Sequence, residues 1–176
     1  MTSSSRKDDI GNFVLIPQVV EAVSIPVIAS GGIADGRGLM AALALGAEGI
    51  EMGTRFIATK ECVHAHPLYK EAIVNGTELD TVIIKRSLGA PGRALRNNWT
   101  EKILEIERER GDYESLKDFI SGEANKKYIY EGKIEEGYAW AGQSIGLVKN
   151  IPSVAELFDE IIEQAKEIRR KWSSIA

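Results

Sequence analysis

The chain has 176 residues, enough for one domain with a sizeable core, and its 44% hydrophobic and 27% charged content excludes a disordered polypeptide. The formal net charge is -4, with Lys and Arg interspersed among Asp and Glu, which argues against nucleic acid as the main partner. A lone cysteine, Cys62, excludes an intrachain disulfide and a Cys-rich metal site, and no apolar run approaches the roughly 20 residues that span a bilayer.

Residues 1–10 read as a disordered lead with no secretory segment, so a cytoplasmic location is expected. A helix is predicted over residues 13–23, with Pro17 in its first turn, where a missing N–H costs little. Residues 26–30 form a short apolar run that suits a strand buried on both faces, and Gly31 and Gly32 end it. Asp35 is a natural N-cap for a helix over residues 36–45, which is apolar on most sides and is expected to be covered. Residues 49–52 follow as a second short strand, closed by Gly53 and Thr54. Strand, turn, helix and strand in this order make a βαβ unit with parallel strands.

Beyond it, residues 66–75 read as a helix, residues 81–84 as a strand, residues 89–93 as a turn-rich loop and residues 99–110 as a charged surface helix. Residues 111–136 are polar and poorly patterned, as expected of a lid or a peripheral helical insertion. The last helix is well signalled. Ser153 and Glu156 fit a capping box, and Val154, Leu157, Phe158, Ile161, Ile162, Ala165 and Ile168 recur on one face.

The chemistry is expected at the two turns that follow the strands. Glycine there allows φ > 0 and close approach of backbone to a ligand, and N–H groups with a helix N-terminus behind them suit a phosphate monoester. A tight strand–helix turn with no ligand is the competing reading for Gly31 and Gly32 alone; the second turn tips the balance towards binding. His64 and His66 lie two apart, lack partners at metal spacing and are expected to cap a helix or face solvent, so no metal is expected. Cys62 reads as a small buried residue. Arg55 suits either a phosphate contact or a structural ion pair, and Arg86, Arg93 and Arg96 are left open as a substrate or lid surface. Trp99, Trp140 and Trp172 read as packing residues.

Residues 25–38 (IPVIASGGIADGRG), 41–50 (AALALGAEGI) and 51–56 (EMGTRF) resemble the nitronate monooxygenase (2-nitropropane dioxygenase) family, which is related to the flavin-type enoyl-acyl-carrier-protein reductases. The likeness continues through residues 61–71, 86–96 (RSLGAPGRALR) and 141–146 (AGQSIG), and the last two segments narrow it beyond other phosphate-binding barrels. It implies an α/β fold, the C-terminal part of a TIM (β/α)₈ barrel with a mostly helical extension. Residues 11–60 would carry the last βαβ portion, residues 61–150 a peripheral insertion and residues 151–176 a helix packed on the barrel.

The resemblance also implies FMN. Gly31 and Gly32 with Glu51, Met52, Gly53 and Thr54 would bind it, and Gln143 would lie near the flavin or substrate, a plain surface glutamine being the other reading. The implied reaction is oxidation of an alkyl nitronate with dioxygen. A flavin-dependent enoyl-acyl-carrier-protein reductase and a non-catalytic phosphate- or partner-binding half-barrel are the alternatives. In the family a Gly-Gly-His segment with the catalytic base lies just upstream of the part matched from Gly11. Residues 6–10 here read RKDDI, so that histidine is expected outside this chain, and the chain is expected to be a fragment or truncated product. A whole barrel needs roughly 250 residues. Two strands alone leave open edges, so self-association or pairing with an N-terminal half is expected.

Overall fold

The computed structural model describes residues 10–173; all but Ile10 of the lead expected over residues 1–10, and the last three residues, lie outside them. Chain order runs α1 (Asn12–Ala22), β1 (Ile28–Ser30), α2 (Gly36–Ala44), β2 (Gly49–Glu51), α3 (Thr54–Ile57), α4 (Pro67–Asn75), β3 (Thr81–Ile84), β4 (Gly92–Leu95), α5 (Asn98–Glu109), α6 (Tyr113–Leu116) and α7 (Gly122–Ile129). A 3₁₀ turn over Gln143–Leu147 and α8 (Val154–Trp172) complete it.

β1 and β2 pair in parallel with Ile28 opposite Gly49 and Ser30 opposite Glu51, as the βαβ pattern requires. Both strands are shorter than expected, and β1 is not buried on both faces: Ala29 is buried, but Ile28 is 55% exposed. The reason is that α2 and α8 cover one side of the pair, and no described element covers Ile28. The same incomplete cover leaves Leu43 of α2 and Phe158 and Ile162 of α8 exposed, although the sequence marks them as apolar-face residues. Pro17 is also displaced from its expected place. α1 starts at Asn12, so Pro17 stands inside the helix, where its ring removes the bond that the Phe13 carbonyl would accept.

A second sheet corrects the expected loop at residues 89–93. β4 pairs antiparallel with β3, with Thr81 opposite Leu95 and Ile84 opposite Gly92, so Gly92 and Arg93 are strand residues. Glycine and proline in the connection masked the strand, whose apolar half, Ala94 and Leu95, is buried. The polar stretch over residues 111–136 is likewise ordered: Asp112 caps α6, Ser121 caps α7, and Leu116, Ala124 and Tyr128 are buried.

Three apolar clusters result. Ile16, Ala29, Ile33, Ala42, Leu157 and Ile161 lie between the βαβ unit and α8. Tyr69, Ile73, Leu95, Tyr128 and Ile145 centre a second, and Val82, Ile84, Ala94, Ile103 and Leu116 hold the hairpin to α5 and α6. The buried Tyr69 hydroxyl donates to the Trp140 carbonyl at 2.5 Å, and burial pushes its pKa well up.

α8 begins with the expected capping box: Ser153 Oγ accepts from the Glu156 N–H at 3.2 Å, and Glu156 accepts from the Ser153 N–H at 2.6 Å. It then crosses α2 so closely that a Cβ at Gly36 would stand 2.5 Å from the Ile161 carbonyl oxygen and 2.6 Å from Gln164 Cβ. Gly36→Ala is therefore expected to lower stability by about 1–3 kcal/mol, the usual range for overpacking, as read by urea unfolding with an unchanged m-value. An unaltered midpoint would show that α8 can slide.

The Ser153 backbone N–H, the Lys60 ammonium and the Ser153 hydroxyl hold the Glu156 carboxyl down at about 2, against a reference value of 4.5. A depressed folded-state value means that this contribution is complete above pH 4.5 and is lost as pH falls towards about 2. Thermal melts over that window should fall more steeply for the native chain than for Glu156→Gln; parallel curves would remove Glu156 from the acid response.

Candidate functional site

The β1–β2 register ends both strands at one level, so the turns after Ser30 and Glu51 open side by side. Gly31 and Gly32 both take left-handed backbone, with φ of 94° and 76°, which a side chain would strain. Gly53 differs, with φ of -86° in the ordinary helical region, so its backbone does not demand glycine. A Cβ at Gly32 or Gly53 would meet nothing within 4 Å; both turns face open space. Among the described residues, no acceptor takes the N–H of Gly32, Gly53 or Thr54.

The helix N-terminus expected behind the first turn is not free. Asp35 Oδ1 accepts from the N–H groups of Arg37 and Gly38 at 3.0 and 3.1 Å, and Gln164 Oε1 accepts from the Gly36 N–H at 2.9 Å. Against the desolvation that raises its pKa, the Arg37 guanidinium and these N–H groups hold the Asp35 carboxyl below its usual value. The first turn of α2 is thus satisfied by the protein itself, and the donors left to a ligand are those of the two glycine turns.

Three side-chain links tie the turns together. Asn12 Nδ2 donates to the carbonyls of Ser30 at 3.2 Å and Gly31 at 2.6 Å. Ser30 Oγ donates to Glu51 Oε2 across the strand ends. Thr54 Oγ1 accepts from the Gly142 N–H at 2.9 Å, which brings residues 141–143 to the second turn.

Of the residues expected at the site, Gly31, Gly32, Glu51, Gly53 and Thr54 are thereby assembled at one strand end. Met52 contributes backbone only, since its side chain is 9% exposed and lies in the core. The Glu51 carboxylate is taken up by Ser30. Gln143 is exposed on the first residue of the 3₁₀ turn, one position after the tethered Gly142. Asn12 and Gly142 are missed by sequence reasoning: the first reads as an ordinary helix-start residue, and no spacing pattern couples residue 142 to residue 54.

Arg55 is structural. It is 3% exposed, its Nη1 donates to the carbonyls of Ala58 and Asn150, and its Nη2 donates to Asn150 Oδ1 at 2.7 Å. Burial lowers its pKa, while Glu160 works in the opposite direction. Arg93 donates to Thr81 Oγ1 at 3.0 Å within the hairpin, and Arg96 pairs with Glu101 of α5. His66 Nδ1 accepts from the Leu68 N–H at 3.2 Å and caps α4; His64 is exposed. Cys62 is half-buried against the Tyr69 cluster. Among the described residues no group of three or more His, Cys, Asp or Glu side chains is arranged to hold a metal ion, and no helix is long and apolar enough to cross a membrane.

Free backbone donors outside the carboxyl ends of adjacent parallel strands are the arrangement by which α/β proteins take up a ligand. Comparison with known proteins gives the family. The family model for nitronate monooxygenase matches residues 1–164. A probable nitronate monooxygenase of Staphylococcus saprophyticus is 38% identical over 170 residues, 97% of this chain and 47% of that protein. The structure of FabK from Thermotoga maritima superposes with a TM-score of 0.89 at 40% identity, over 96% of this chain and 53% of that one. The nitroalkane oxidase from Streptomyces ansochromogenes gives a TM-score of 0.76 at 28% identity, over 98% and 48%. The chain belongs to the nitronate monooxygenase family, an enzyme family of flavin-dependent oxidoreductases, and it spans about half the length of the curated relatives it matches.

The Thr54–Gly142 bond gives a direct test of how the site is held. Thr54→Val leaves the half-buried Gly142 N–H unpaired, at an expected cost of about 1–3 kcal/mol in denaturant unfolding, and Thr54→Ser should restore most of it. Equal stability of the two variants would mean that the 141–143 segment is fixed by other contacts.

Proposed function

We propose that the chain forms the phosphate-binding, C-terminal part of a (β/α)₈ barrel in a cytoplasmic, FMN-dependent oxidoreductase that oxidises alkyl nitronates with dioxygen. The observation that carries the reading is the pair of open glycine turns, with unclaimed N–H groups at Gly32, Gly53 and Thr54. Such groups suit the phosphate of FMN because they donate without charge and sit where no side chain intrudes. The Thr54 hydroxyl accepts from Gly142, and its own proton remains available to a phosphate oxygen. Glu51 and Met52 contribute backbone at the strand end, and the exposed Gln143 amide, able to donate and accept, orients a polar group of flavin or substrate.

The flavin, when bound, supplies the redox chemistry. No described histidine is assigned the proton transfer: His66 is committed to capping α4. Phe13, Ile25 and Ile28 are 75%, 69% and 55% exposed along the uncovered side of α1 and β1. That apolar face supports pairing of this chain with an N-terminal half or with a second copy. The likeness to FabK favours one second reading, a flavin-dependent enoyl-acyl-carrier-protein reductase. Oxygen uptake with an alkyl nitronate supports the first reading; oxidation of NADH or NADPH with an enoyl thioester supports the second.

The visible spectrum of the purified chain, before and after adding FMN, tests the site directly. A bound-flavin spectrum near one FMN per chain is expected, and its loss is expected in Gly32→Val and Gly53→Val. Gly53→Val is the cleaner variant, because ordinary backbone and open space let it fold. Stoichiometric FMN in both variants overturns the phosphate-site assignment, and a chain that stays colourless with FMN overturns the reading for this polypeptide.

A further inference from the structure

We infer that Asn12 is a positioning residue that aims the Gly32 N–H into the phosphate site, an inference that rests on the flavin reading above. Its amide nitrogen donates to two successive carbonyls, those of Ser30 and Gly31, at 3.2 and 2.6 Å. In a trans peptide the C=O and the N–H of the same plane point in opposite directions, and no described peptide bond is cis. Drawing the Gly31 carbonyl towards Asn12 therefore turns the Gly32 N–H away from Asn12, and among the described residues no acceptor takes it.

The need for such a lock is physical. Glycine at φ of 94° and 76° has many accessible conformations, and two in succession would otherwise leave the peptide plane between them free to rotate. Asn12 is the first residue of α1, held at the start of a helix whose Ile16 lies in the core, so its amide is a fixed point. The sequence separations of 18 and 19 residues make this a tertiary lock and not a property of the turn. Only a donor serves: the two acceptors are carbonyls, and a carboxylate at this position would repel both.

The test uses the full chain labelled with ¹⁵N-glycine, as the native sequence, Asn12→Ala and Asn12→Asp. Asn12→Asp keeps the side-chain size and suits the first turn of a helix, so it guards against a variant that merely fails to fold. In ligand-free spectra the Gly31 and Gly32 amide signals should move in both variants while Gly53 stays in place. On titration with inorganic phosphate, Gly32 and Gly53 should both respond in the native chain, and in Asn12→Ala only Gly53 should. FMN affinity should fall about tenfold in Asn12→Ala, the usual worth of one such bond, with riboflavin binding unchanged because it lacks the phosphate. Unmoved Gly31 and Gly32 signals, or FMN and riboflavin weakened alike, would overturn the role of Asn12. If phosphate and FMN move neither glycine in the native chain, the flavin reading fails, and the ligand-free signals still decide whether Asn12 sets the turn.

Discussion

The parallel pairing of β1 with β2, in the register that sets Ser30 opposite Glu51, is the constraint on which the rest of the site depends. A shift of one residue would turn Ala29 out of the core and offset the two glycine turns. The register is held from outside the strands, because three residues in each make too short a ladder to fix it. α8 supplies part of the hold by burying Leu157 and Ile161 against Ala29, Ile33 and Ala42. Gly36 lets α8 come close, and Gln164 then takes the N–H that the approach would otherwise strand.

Around that register the side-chain links divide the work. Ser30 and Glu51 close the strand ends upon each other, Asn12 anchors the first turn, and Thr54 joins the second turn to Gly142. Arg55, buried with its guanidinium on Asn150 and Ala58, ties the short helix after the second turn to the segment leading into α8. Burying a guanidinium is tolerable here because carbonyl and amide oxygens meet several of its N–H groups. The cation nearest the turns in sequence thus holds the scaffold, and the donors left to a ligand are neutral backbone.

The βαβ unit, the Asp35 cap and the capping box of α8 were legible because local chemistry determines them: apolar runs, an Asp before a helix, a Ser three residues before a Glu. The hairpin was not. Gly89 and Pro91 precede β4 and Gly92 opens it, and its pairing with β3 rests on Ala94 and Leu95 entering clusters built by distant residues. Pro17 misled as well: α1 runs from Asn12 to Ala22 and carries the proline inside it, past the first turn. The glycines of the site could be read directly, because glycine is needed wherever backbone must turn left-handed or stay bare. The residues that aim them could not, because an asparagine at a helix start and a glycine in a loop have ordinary local explanations.

The two glycine turns also differ in what they require, which bears on how such a cradle tolerates change. At Gly31 and Gly32 the backbone conformation itself selects glycine, so any substitution there strains the folded chain before a ligand is considered. At Gly53 the backbone is ordinary and, among the described residues, the space beyond it is empty, so nothing in the described fold gives a reason for the missing side chain. A residue whose absent Cβ serves nothing in the protein is stronger support for a bound group than one whose conformation explains it. By that reasoning the second turn, less conspicuous in the sequence than Gly31 and Gly32, carries more of the weight in reading this surface as a phosphate cradle.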